Sequence, residues 1–128
     1  LADDGIVAAS RIVLAGTRAW DDAERRWVAE TGVHAIAADA IGAAGPVLDA
    51  VRATGASRLY LHIDLDVLDP AEISSTAWAE PFGASVDGLL AALRELRERY
   101  VLAGAKAEAG SERPGKSQGE PLVWTLAA

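Results

Sequence analysis

Residues 61–70 read LHIDLDVLDP, an apolar run of Leu, Ile and Val that also carries aspartates at positions 64, 66 and 69. Such a run is typical of a strand buried in a parallel sheet, where an unpaired charge is costly. Side chains two residues apart share one face of a strand, so His62, Asp64 and Asp66 are predicted to project together. Neighbouring carboxylates in a dry place need either a retained proton or a neutralising cation.

Short apolar runs alternate with capped helix patterns along the chain. Asp21 and Glu24 have capping-box spacing, Pro46 suits a first helical turn, and Ser85 precedes a helix whose leucines recur on one face. Strands that alternate with helices pair in parallel through right-handed crossovers. The sequence therefore predicts the α/β class, with a mostly parallel sheet in a three-layer arrangement. The predicted strands are 11–16, 33–39, 57–66 and 100–108.

The predicted domain organisation divides the chain near residue 109. Residues 1–109 carry the strand and helix patterns, and we interpret them as part of an α/β domain. Residues 110–120, GSERPGKSQGE, have no apolar periodicity, and residues 121–128 are too short a run to assign. We therefore predict a flexible tail over residues 110–128.

Composition excludes several classes of partner and site. The net charge of -7, with scattered basic residues, disfavours a nucleic-acid partner or an anionic membrane surface. The absence of cysteine excludes disulfides and thiolate metal sites, and it fits a reducing compartment, so we expect a cytoplasmic protein. No apolar stretch of the sequence is long enough to span a membrane.

The aspartates have more than one interpretation. Asp66 and Asp69 could cap the turn before Pro70 while Asp64 pairs with an arginine, or the pair at the strand end could bind a hard divalent metal. A D-x-D pair also occurs in nucleotide-sugar transferases and in aspartate-nucleophile phosphatases. The phosphatase motif lies on an early strand, whereas this strand is the third. A calcium loop would need a central glycine and a terminal glutamate, which are missing.

The longer string YLHIDLDVLDP, followed by EPFGASVDGLLAAL, resembles the signature of the arginase, agmatinase and formiminoglutamase family of ureohydrolases. RIVLAGTRAWDDAE and VLAGAKAEA are similar to the family's strands before and after that signature. The resemblance covers residues 11–109 and implies the C-terminal portion of an arginase-like α/β domain. It further implies a hydrolase that acts on a small guanidino or amidino substrate and releases urea or an analogue.

The resemblance also implies a site. It makes Asp64 and Asp66 ligands of a binuclear Mn²⁺ centre, at which an activated water attacks the guanidinium carbon. Asp69 with Pro70 would shape the following loop. Glu108 would bind the guanidinium group of the substrate, because a carboxylate can pair with that planar cation through two hydrogen bonds.

The sequence departs from the family pattern in ways that affect these expectations. The family's other metal ligands, in G-G-D-H and D-x-H-x-D stretches, do not occur here, and Ala105 replaces an aspartate of the family pattern before Glu108. We therefore expect a partial domain that is inactive alone and that associates with itself, because half a domain leaves a sheet edge uncovered. The alternative is a non-catalytic relative that acts as a subunit or binding module. Arginine, agmatine and formiminoglutamate all remain open as substrates.

Three other residues have open roles. His62 is expected to hydrogen-bond near the site rather than to bind metal. Arg18, at the end of the first strand, either contacts substrate or pairs with Asp21 or Asp22. Trp78 could line a pocket.

Overall fold

A computed structural model of the chain describes residues 7–18, 20–73, 81–108 and 125–127, with only the backbone for Glu108 and 125–127. Within these ranges the strands are β1 (Ile12–Ala15), β2 (His34–Ile36), β3 (Arg58–Asp64), β4 (Val101–Glu108) and β5 (Thr125–Ala127). The helices are α1 (Asp22–Thr31), α2 (Ala38–Ile41), α3 (Gly45–Ala53) and α4 (Val86–Arg99). All four predicted strands and the expected alternation with helices are present.

The strands form one sheet in the order β2-β1-β5-β3-β4. β1 pairs with β2, and β3 pairs with β4, in parallel. The short strand β5 lies between β1 and β3 and runs antiparallel to both. The predicted α/β class is confirmed. β5 belongs to the run that the sequence left unassigned, and residues 110–124 of the predicted tail lie outside the described residues.

The helix ends follow the predicted caps. Asp21 and Glu24 form the capping box, in which Asp21 Oδ1 accepts from the Glu24 N–H at 2.7 Å and Glu24 Oε2 accepts from the Asp21 N–H at 2.9 Å. Gly32 ends α1 with φ of 79°, a conformation that favours glycine. Ser85 Oγ accepts from the Gly88 N–H at 3.0 Å and starts α4. These local bonds fix where helices begin, and hence where the loops at the sheet edge lie.

Two apolar clusters cover opposite faces of the sheet. Val13 and Ala15 of β1 belong to the main core, which they share with residues of β3, α3 and α4. Ile12 and Leu14 face the other way and pack with Trp27 of α1. Because alternate residues of one strand enter different clusters, helices lie on both faces of the sheet, as the three-layer prediction requires. No helix in the described ranges has the length and apolar character needed to cross a membrane.

Two predicted strand ends are wrong. β3 ends at Asp64 rather than residue 66, and β2 ends at Ile36, so that Asp39 lies in α2 instead of a strand. After Asp64 the chain turns into a 3₁₀ helix over Leu65–Val67. Asp66 therefore does not continue the two-residue alternation of the strand, and the prediction that it shares a strand face with His62 does not hold.

Candidate metal and substrate site

Asp64 ends β3 and shapes the turn that follows. Its Oδ1 accepts from the N–H of Asp66 at 3.0 Å, so the side chain caps the 3₁₀ helix Leu65–Val67. An aspartate that bonds to the main chain two residues later offers the backbone an alternative to the sheet ladder. This local bond explains why the strand stops at Asp64. The Asp64 side chain is half-buried at the carboxyl end of β3.

Asp66 lies on the turn and is almost completely buried, with 3% of its surface exposed. Its main-chain carbonyl accepts a hydrogen bond from Nη2 of Arg18, which follows β1. From the sequence, Arg18 is expected either to contact substrate or to pair with Asp21 or Asp22. The structure shows a different contact, with the main-chain carbonyl of Asp66. No local sequence signal predicts this contact, because the two residues are 48 positions apart.

Glu108 lies beside Asp64 in the sheet. The two residues are Cα partners in the parallel register of β3 and β4, and His62 and Lys106 are partners two positions earlier. The carboxyl ends of parallel strands meet at one edge of a sheet, where ligands bind in open α/β folds. The structure therefore brings the positions of Asp64, Asp66 and Glu108, which the sequence singled out, to one edge.

Thr17 is a buried polar residue at this edge of β1. It is 6% exposed, and its hydroxyl has no hydrogen-bond partner among the residues that the structure describes. Sequence reasoning missed Thr17, since a threonine after a strand is a common turn residue. A buried hydroxyl without a partner is costly, and such groups in native proteins call for a specific explanation.

Asp69 closes the loop after the turn. Its Oδ1 accepts from the Ala71 N–H at 2.9 Å, and its Oδ2 accepts from the Gly83 N–H at 3.1 Å. The Asp69 N–H donates to the Ala84 carbonyl at 2.9 Å, and Leu68 and Ala84 form a parallel bridge. Asp69 therefore joins the two ends of the loop, which agrees with the loop-shaping role expected from the sequence. Trp78 lies outside the described residues.

The pKa of the Asp69 carboxyl is lower than its ordinary value. The first cause is the hydrogen bond from the Ala71 N–H, with smaller contributions from the N–H groups of Gly83 and Phe82 and from the charge of Arg18; burial acts in the opposite direction. Each of these groups stabilises the ionised form of the side chain. Asp69 is consequently an anion wherever the fold is intact at neutral pH.

Asp69 should make stability depend on pH in the acid range. A carboxyl whose pKa is lowered by folding stabilises the fold above its unfolded pKa, and this contribution is lost as the pH falls through the folded pKa. Asp69→Asn should therefore melt below the wild type at about pH 7, and the difference should shrink below about pH 4. Thermal melts across this range measure it, with Asp49→Asn, an exposed partner of Arg52, as the control. A constant difference at all pH values would contradict this role.

The donor set fits a hard divalent cation by ligand type, because carboxylate oxygens are the ligands that Mn²⁺ and Mg²⁺ prefer. The fit is incomplete in number. In the described part of the chain, no group of at least three His, Cys, Asp or Glu side chains is placed to hold a metal ion. The assignment of Asp64 and Asp66 as metal ligands therefore stays a prediction.

The sequence description of the arginase family matches residues 1–118, so the chain belongs to the arginase family. Enzymes of this family hydrolyse guanidino and amidino groups. No curated protein has a sequence that matches the chain.

Solved structures with the same fold include enzymes of this class. An arginase from Bacillus subtilis is 21% identical, with a TM-score of 0.69 over 81% of this chain and 38% of its own. A hypothetical agmatinase from Burkholderia thailandensis is 26% identical, with a TM-score of 0.69 over 91% of this chain and 36% of its own. A proclavaminate amidino hydrolase from Streptomyces clavuligerus is 26% identical, with a TM-score of 0.68 over 86% of this chain and 37% of its own. The chain thus spans well under half the length of these proteins.

Proposed function

We propose that this chain contributes the Asp64–Asp66 edge to a manganese-dependent hydrolase of a small guanidino or amidino substrate. The observation that carries the proposal is the juxtaposition of the D-x-D turn, with its buried Asp66, and the position of Glu108, the register partner of Asp64 on the neighbouring parallel strand. Membership of the arginase family supports the reaction class. The family comparisons do not favour the alternative of a non-catalytic relative, since the similar structures described above are named as enzymes.

Each residue of the site has a distinct part in this proposal. Asp64 and Asp66 would hold Mn²⁺ through their carboxylates, and Glu108 would bind the planar guanidinium group by paired hydrogen bonds. When bound, the metal would polarise the substrate as a Lewis acid. It would also lower the pKa of a bound water, so that hydroxide is available at neutral pH. Because only 3% of Asp66 is exposed, bulk water screens its charge weakly, which strengthens its electrostatic contacts.

The metal affinity and activity of the chain test the proposal. Two carboxylates supply fewer donors than Mn²⁺ normally takes, so we expect binding no tighter than the millimolar range, equivalent to about 4 kcal/mol. For the same reason we expect no urea release from arginine or agmatine by these residues alone. Calorimetric titration with Mn²⁺ and a urea assay measure both. Tight binding or turnover by this chain would show that the site is more complete than proposed.

We also propose that the protein associates with itself along β4. In the described ranges β4 pairs only with β3. The exposed fraction of Val101 on this strand is 61%, and that of Leu102 is 38%. An uncovered edge strand with exposed apolar side chains pairs readily with another strand. Sedimentation velocity should therefore show an oligomer that Leu102→Lys weakens. Leu90→Lys is the matched control, because Leu90 is 42% exposed on α4. A wild-type chain that sediments as a monomer would contradict the proposal.

A further inference from the structure

We propose that Arg18 is a positioning residue for Asp66. In this role it fixes the main chain at the residue that offers its carboxylate to the metal, and it sets the metal affinity without touching the metal. The inference rests on the proposed function, because it requires Asp66 to be a ligand.

The main chain of Asp66 is held on both sides. Its N–H donates to Asp64 Oδ1 at 3.0 Å, and its carbonyl accepts from Nη2 of Arg18. The first bond is local, whereas the second connects the end of β1 to the end of β3 across 48 positions. With both peptide groups fixed and only 3% of the residue exposed, little freedom remains for the direction of the Asp66 carboxylate.

Arg18 also contacts the loop that Asp69 closes. A Cβ atom at Gly83 would overlap Nη1 of Arg18, so the guanidinium group lies directly against residue 83. The charge of Arg18 contributes to the lowered pKa of Asp69, whose Oδ2 accepts from the Gly83 N–H. The guanidinium group is thus placed between the turn at Asp66 and the loop that returns to α4. A planar group with several donors suits this position better than an ammonium group.

Removing Arg18 has two opposed consequences for a metal at Asp66. A cation beside the site repels Mn²⁺, so its loss should tighten binding through electrostatics. Loss of orientation should weaken binding, and residues that orient metal ligands typically contribute roughly 10- to 100-fold in affinity. Arg18 donates to Asp66 itself, so we expect the orientation effect to exceed the repulsion.

The experiment titrates Mn²⁺ into the ¹⁵N-labelled full chain and follows paramagnetic broadening of the backbone amide signals of residues 64–66. This measurement detects millimolar binding. The variants are Arg18→Ala, Arg18→Lys, which keeps the charge, and the control Arg52→Ala, an exposed arginine on α3. We expect Arg18→Ala to bind roughly 10- to 100-fold more weakly. Arg18→Lys should fall between Arg18→Ala and wild type, and Arg52→Ala should equal wild type.

Equal or tighter Mn²⁺ binding by folded Arg18→Ala would overturn the inference while leaving the metal assignment intact. A role limited to stability would lower the melting temperature and leave the affinity of the folded protein unchanged, which would also overturn it. If Arg18→Ala does not fold, Arg18→Lys decides the outcome by the same criterion. Absence of broadening at residues 64–66 in the wild type would overturn both the proposed function and this inference.

Discussion

Replacing Asp66 by asparagine should abolish Mn²⁺ binding while the fold is kept. Asparagine has nearly the same size, so the buried position stays filled, but it loses the charge that a hard cation requires. Loss of a direct ligand should exceed the effect of losing a residue that only orients one, so we expect affinity to fall by more than roughly 100-fold. Amide broadening by Mn²⁺ measures this, together with thermal melting as a check of the fold.

The matched control is Asp39→Asn on α2, which removes an exposed carboxylate far along the sequence from the D-x-D turn. This control should bind Mn²⁺ as the wild type does, because an exposed single carboxylate contributes little to a localised site. If Asp66→Asn keeps wild-type affinity, Asp66 is not a ligand. The carboxylate would then have a structural role in the turn.

Gly83→Ala should strongly destabilise this edge of the sheet. The added Cβ would overlap main-chain atoms of Leu68 and Asp69 as well as Arg18. Main-chain atoms cannot move aside as a flexible side chain can, so relief requires the loop to open. Overpacking typically costs about 1–3 kcal/mol, and we expect a loss of about 3 kcal/mol or more here. Urea denaturation followed by circular dichroism measures the free energy of unfolding.

The control for this change is Gly45→Ala at the start of α3, where a Cβ would meet no atom within 4 Å. Alanine is the better helix former, so this variant should be neutral or more stable by up to about 1 kcal/mol. Equal effects of the two substitutions would mean that the close approach at Gly83 does not constrain the loop. Weaker Mn²⁺ binding by Gly83→Ala would follow from displacement of Arg18.

Much of the fold was predictable because its signals are local. The alternation of apolar runs and helix patterns predicted the α/β class, and the spacing of Asp21 and Glu24 predicted a capping box that is present. Strand ends were less predictable. After Asp64 the backbone can either continue the hydrogen bonds of the strand or form a turn that the Asp64 side chain stabilises. Propensity alone does not determine which of the two conformations forms.

The candidate site was predictable only in part. The D-x-D string and Glu108 were identified in the sequence, and the register of β3 and β4 brings Asp64 and Glu108 together. The sequence did not predict that the hydroxyl of Thr17 is buried. It also did not predict that neighbouring atoms leave no room for a side chain at Gly83. Both features arise where separate segments meet, and neither has a distinctive pattern of neighbouring residues.

The sequence by itself determined the α/β class, the helix caps and the location of the acidic turn after the third strand, because these depend on residues within a few positions of one another. Only the tertiary structure decided that β5 lies between β1 and β3, that Asp66 is buried, and that Arg18 holds its carbonyl. These features depend on contacts between residues distant in the chain. Such contacts form when the sheet assembles, and no short-range pattern encodes them.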